Sequence, residues 1–133
     1  METRLISFSS MRFLLGSILL GLAFLMLAPC VVALYSGSAD LKAFLVSEAA
    51  TASAAVLLMI TGRRKILHFR LRDMFFFTGA SWVLVCAFGA LPFILSHTVE
   101  NFTDAVFESV SAVTTTGATV LSGLDSMPQD ILL

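Results

Sequence analysis

Three long apolar stretches constrain what this chain can fold into more than any other feature. Phe13–Tyr35 runs for 23 positions without a charge. At 1.5 Å rise per residue, about 20 apolar residues cross the hydrocarbon core of a bilayer, so this run spans it with some tilt. Ala43–Gly62 is a second stretch, interrupted only by Glu48, and Met74–Ser96 is a third. None of them alternates in polarity, so each reads as a helix and not a strand. Pro92 lies near the far end of the third, where a helix bends or stops at modest cost. Composition points the same way. The chain is 58% hydrophobic and 13% charged, whereas a soluble domain carries about 25% charged residues. Too little polar surface is left for water, and the chain reads as an integral membrane protein.

The eight basic residues set an orientation. Arg4 and Arg12 precede the first span, and Arg63, Arg64, Lys65, Arg70 and Arg72 crowd the loop between the second and third spans. Only Lys42 lies on the other side. Lysine and arginine collect in cytoplasmic loops, so the N-terminus and the "GRRKILHFRLRD" loop are expected inside. That bias accounts for the cluster without a nucleic-acid or lipid-headgroup site. The region after Ser96 then begins outside. It holds five acidic residues (Glu100, Asp104, Glu108, Asp125 and Asp130) and no lysine or arginine.

Other features have plainer readings. "LAPC" at 27–30 loosely resembles a lipoprotein cleavage site, but the apolar run continues to Tyr35, beyond the roughly 7–15 residues of a signal core. Cys30 and Cys86 sit inside apolar runs and read as small hydrophobes, with no metal-site or disulfide spacing. The small residues of "SEAATASAA" (47–55), and Ser17 with Gly21, suit close helix approach. Glu48 is expected to reach the outer interface, an ion path being the alternative for a carboxylate within a span.

Beyond the third span, "NFTDAVFESVSAV" (101–113) places Phe102, Ala105, Val106, Val110 and Val113 as one helical stripe. Asn101 is positioned to cap this helix, and Asp104 complements its positive end. Twelve residues after the cap make about 18 Å of helix, roughly half a bilayer. The triplet "NFT" is also a glycosylation sequon, a pattern common by chance. Next comes "TTTGAT", which lacks the lysine and glycine spacing of a phosphate loop. A short helix entering from outside and ending in a polar run with glycine fits a re-entrant loop. Irregular backbone at that depth must be buried in protein or line a water-filled path. Thr114, Thr115, Thr116 and Gly117 offer a row of carbonyls, and glycine permits the angles that aim them at one axis. The C-terminal end of the preceding helix favours a cation there, and an acidic outer face raises its local concentration. Carbonyl rings that replace a hydration shell are how potassium filters select. A polar turn on the outer surface is the competing reading.

"GALPFILS" (89–96), followed by "FTDAVFESVSAVTTTGATVLSGLDSMPQDILL" (102–133), resembles the first pore repeat of the Trk-type potassium uptake family, in particular its TrkH-type membrane subunit. The resemblance is close over 74–133 and weaker over 1–73. It implies an all-α membrane fold: three transmembrane helices plus a re-entrant pore helix and filter loop, the first part of a four-repeat potassium-channel-like transporter. Residues 1–73 would be two N-terminal transmembrane helices with a basic cytoplasmic loop. Residues 74–133 would be the first half of pore repeat one, without its second span. By the same resemblance Gly117 is the filter glycine, and Thr114–Gly117 supply the backbone carbonyls that bind potassium. The family also implies an inner-membrane location, a homodimer and a cytosolic TrkA-type nucleotide-binding regulatory subunit. No organic cofactor and no nucleic acid enter this reading. The chain stops at Leu133, short of three further repeats, so one quarter of a filter is expected not to conduct by itself.

Two function classes follow: potassium uptake as part of such a transporter, or a small multi-span protein that scaffolds or modulates partners without transport. An enzyme is disfavoured. There is no paired acid–base or metal constellation, and His68 and His97 fall on opposite sides of the membrane by the charge topology.

Overall fold

The computed structural model describes residues 8–37, 41–62 and 71–121. The described residues form five helices: α1 (Phe8–Ser36), α2 (Leu41–Thr61), α3 (Leu71–Gly89), α4 (Leu91–Leu95) and α5 (Phe102–Val113). Helices α1 and α2, and α3 continued by α4, are each long and apolar enough to cross a membrane. These are the three expected spans, starting five, two and three residues earlier than the apolar runs. The basic residues Arg63, Arg64, Lys65 and Arg70, together with Arg4, His68, Asp125 and Asp130, lie outside the described residues.

Helices α1 and α2 form an antiparallel pair whose seam is made of small side chains. The buried positions of α1 include Gly16, Leu19, Ala23, Met26, Cys30 and Ala33. Their spacing alternates three and four residues, the repeat that keeps one stripe facing a partner crossing at a shallow angle. Helix α2 answers with Phe44, Ser47, Thr51 and Ala55. Lipid tails are as apolar as leucine, so helices in a bilayer associate through close packing and not through expulsion of water. Gly16 shows how close that packing is. A Cβ there would lie 2.8 Å from the Ala55 carbonyl oxygen. Gly62 abuts Phe13 in the same way, with a Cβ falling 2.5 Å from the Phe13 backbone nitrogen. The buried hydroxyls bond within their own helix, Ser47 Oγ to the Ala43 carbonyl and Thr51 Oγ1 to the Ser47 carbonyl, each at 2.8 Å. From "SEAATASAA", the seam takes Ser47, Thr51 and Ala55. Ser17 and Gly21 are exposed, and a Cβ at Gly21 would meet nothing within 4 Å. The glycine that packs is Gly16, one turn earlier, because it shares the stripe.

The third span breaks at Ala90. Pro92 has no N–H for the Phe88 carbonyl, and its ring crowds the preceding turn, so α3 ends at Gly89 and α4 restarts with Pro92 in its first turn. The Ala90 N–H still reaches the Cys86 carbonyl at 3.1 Å, and the Ile94 N–H reaches the Ala90 carbonyl at 3.2 Å, so the axis bends without separating. At this bend α5 docks. Ser109 Oγ donates to the Cys86 carbonyl at 2.8 Å, and the missing side chain of Gly89 makes room for it.

Candidate functional site

The site is built on α5 and the chain that folds back along it. Asn101 occupies the N-cap position with extended backbone angles, and its carbonyl accepts the Asp104 and Ala105 N–H groups at 3.2 and 3.3 Å. Its side chain does not cap. The Asn101 Nδ2 donates instead to Asp104 Oδ2 at 3.3 Å.

The face of α5 turned inward is not the expected apolar stripe. Ala105, Glu108, Ser109 and Ser111 are buried, whereas Phe102 is 71% exposed and Val110 38% exposed. Polar side chains in an apolar environment are stable only where partners satisfy them, so the bonding groups of α5 turn toward protein and the apolar groups turn out. The acidic outer face also needs revision: Glu100 is exposed but Glu108 is buried.

Helix α5 ends at Val113 in a bonded cap. The Thr116 N–H reaches back to the Ser111 carbonyl at 3.0 Å, and the Thr115 N–H reaches the Ala112 carbonyl at 3.1 Å. This nested pair requires a left-handed residue just past the helix, a position usually held by glycine. Here Thr115 takes it, with φ +55°. Gly117 follows with φ +71°. Two left-handed residues therefore alternate with Thr116. In an extended strand successive residues face opposite ways, and backbone angles of alternating hand turn successive peptide groups toward a common side.

Of the four residues singled out in the sequence, all are exposed, as are Ala118, Thr119 and Val120. The Thr114 carbonyl accepts the Thr115 hydroxyl at 2.7 Å. Among the described residues, no protein donor reaches the carbonyls of Thr115, Thr116 or Gly117. The threonine hydroxyls are occupied close to home: Thr114 Oγ1 donates to the Val110 carbonyl at 2.7 Å and lies 2.7 Å from Thr116 Oγ1. Exposed backbone carbonyls at the negative end of a helix have the chemistry to ligate a cation. No group of three or more histidine, cysteine or carboxylate side chains that could hold a metal occurs among the described residues.

Beyond Gly117 the chain reverses along α5, held by Ser111 and by Glu108, a residue expected only to add to an acidic outer face. Ser111 Oγ donates to the Ala118 carbonyl at 2.6 Å. One oxygen of Glu108, Oε1, accepts the Thr119 hydroxyl at 2.6 Å, the Val120 N–H at 2.6 Å and the Leu121 N–H at 3.4 Å. Thr119 Oγ1 in turn accepts the Leu121 N–H at 3.0 Å. The signal for these residues was a carboxylate and a serine three positions apart on a half-span, where unpartnered polar groups are costly.

No protein-family model matches the chain. It is 35% identical over 120 residues to the Trk system potassium uptake protein TrkH of Halomonas elongata, covering 90% of this chain and 25% of that protein. To the protein of the same name from Escherichia coli it is 37% identical over 108 residues, covering 80% of this chain and 22% of that one. The crystal structure of the potassium transporter TrkH from Vibrio parahaemolyticus superposes with a TM-score of 0.88 at 34% identity, covering 96% of this chain and 27% of that chain. The chain thus spans about a quarter of the length of the relatives it matches.

Proposed function

Because the chain belongs to the TrkH family of Trk-type potassium uptake proteins, we propose that it contributes one wall of a potassium filter, with Thr114, Thr115, Thr116 and Gly117 as the ion-facing residues. The observation that carries this is the exposed segment of alternating backbone hand, seated on the end of a half-bilayer helix and tethered from behind by Ser111 and Glu108. Three of its four carbonyls have no protein donor among the described residues, which leaves them for an ion stripped of water. The Thr114 carbonyl already accepts one hydrogen bond and has one lone pair left to contribute. A ring of such carbonyls needs walls from elsewhere, so uptake belongs to the complete transporter.

The remaining expectations form part of the same proposal. The charge pattern supports a cytoplasmic N-terminus and entry of α5 from outside. In this reading residues 1–73 are two N-terminal transmembrane helices with a basic cytoplasmic loop, and 74–133 the first half of a pore repeat. The likeness to the family supports a bacterial inner-membrane location, pairing into a homodimer and a TrkA-type regulatory subunit as further parts of the proposal. The chemistry is passage of an ion and not catalysis.

Gly117→Ser in the complete transporter, expressed in bacteria that lack other potassium uptake, tests the filter. The expected result is reduced preference for potassium over sodium, since a left-handed φ strains any residue with a Cβ. An unchanged preference, with the variant present in the membrane at normal level, defeats the assignment.

A further inference from the structure

The geometry points to Glu108 as a positioning residue for ion selection, acting through the returning limb at Thr119–Leu121 and not by touching the ion. This inference rests on the filter reading above. The ion-facing residues Thr114–Gly117 are exposed, and their hydrogen bonds run back to α5 or to one another, so little on their open side fixes their shape. Their two ends are fixed instead. The near end is the cap of α5, and the far end is the limb that Glu108 and Ser111 tie back to the same helix.

Glu108 carries most of that far attachment. A single carboxylate oxygen gathers two backbone N–H groups and one hydroxyl, all neutral donors. An ionised carboxylate oxygen is the acceptor suited to this, since charge-assisted bonds are shorter and stronger than neutral ones, and the two close contacts are 2.6 Å. The side chain is 8% exposed, and withdrawal from water strengthens each bond. Ser111 adds a bond at 2.6 Å to the Ala118 carbonyl, the residue next to Gly117. Ligand carbonyls discriminate between ions only when held near one geometry, and that hold comes from the shell behind them.

The test compares initial rates of potassium and sodium uptake by the complete transporter carrying Glu108→Ala, Glu108→Gln or Gly117→Ser, each normalised to its amount in the membrane. Glu108→Ala is expected to lower the potassium-to-sodium ratio about tenfold, in line with the loss of several hydrogen bonds to one charged acceptor. Glu108→Gln keeps an acceptor oxygen without the charge and should fall between alanine and the parent. A residue needed only for folding would lower both rates together, and an unchanged ratio in both Glu108 variants overturns the proposal. Should the alanine variant fail to reach the membrane, the ratio for glutamine decides alone. If Gly117→Ser shifts the ratio and the Glu108 variants do not, only the role of Glu108 fails. If Gly117→Ser leaves the ratio unchanged, the filter reading itself fails.

Discussion

The contact between Gly89 and Ser109 couples the half-span to the third span, and its energetics can be worked from distances. A Cβ at position 89 would lie 2.6 Å from Ser109 Oγ but 3.8 Å from Ser109 Cβ, the second an ordinary contact. Gly89→Ala therefore collides with the hydroxyl alone, which must retreat by about 0.8 Å or rotate away, and insertion into a packed site costs about 1–3 kcal/mol. Either movement breaks the bond to the Cys86 carbonyl, and Ser109 is 2% exposed, so water does not replace it. Ser109→Ala loses the same bond without a collision and should cost about 0.6 to 1.7 kcal/mol, from the average to the largest value measured for hydrogen bonds between membrane helices. Combined, the two substitutions remove the clash and count the bond only once. The double variant should then be no less stable than Gly89→Ala alone, short of additivity by about 1 kcal/mol. Unfolding of the complete transporter in detergent, read as midpoints for the four members of the cycle, measures this coupling. Additivity to within about 0.3 kcal/mol would refute the contact as described.

Two further glycine and threonine predictions follow from the backbone. Gly62→Ala places a Cβ 2.5 Å from the Phe13 backbone nitrogen and should destabilise by about 1–3 kcal/mol, because backbone cannot yield as a side-chain tip does. Gly21→Ala meets nothing within 4 Å and should instead stabilise by up to about 1 kcal/mol through helix propensity; equal effects in a thermal unfolding comparison would contradict the seam. Thr115→Gly and Thr115→Ala both lose the hydroxyl bond to the Thr114 carbonyl, but only glycine relieves the left-handed backbone, which is worth about 1 kcal/mol. The unfolding midpoint of the glycine variant should therefore lie above that of the alanine variant, and equal midpoints would show that the strain is absent.

What the sequence made legible, and what it did not, divides along one physical line. Runs without charge announce spans whatever their neighbours do, so α1, α2 and α3 with α4 were readable from length alone, and Pro92 marked the bend. The inward faces were not readable by the same means. Apolar periodicity identifies the buried side of a helix in water, but in hydrocarbon it loses that meaning. Helix α5 shows the inversion: Phe102 and Val110 turn outward, while Glu108, Ser109 and Ser111 turn to partners in the protein. Helix α1 shows it through its glycines, since Gly16 and Gly21 look alike in sequence and only the partner stripe on α2 tells them apart. At the candidate filter, glycine drew attention to residue 117 because left-handed backbone is cheap there. The first left-handed residue is Thr115, and its position follows from where α5 stops, through the bonds from Thr115 and Thr116 to Ala112 and Ser111. A threonine in a position glycine would fill at lower cost is therefore the feature hardest to infer from composition. It also ties the shape of the proposed ion-facing segment to the end of one helix, so a change in the length of α5 by even one residue would shift which carbonyls that segment presents.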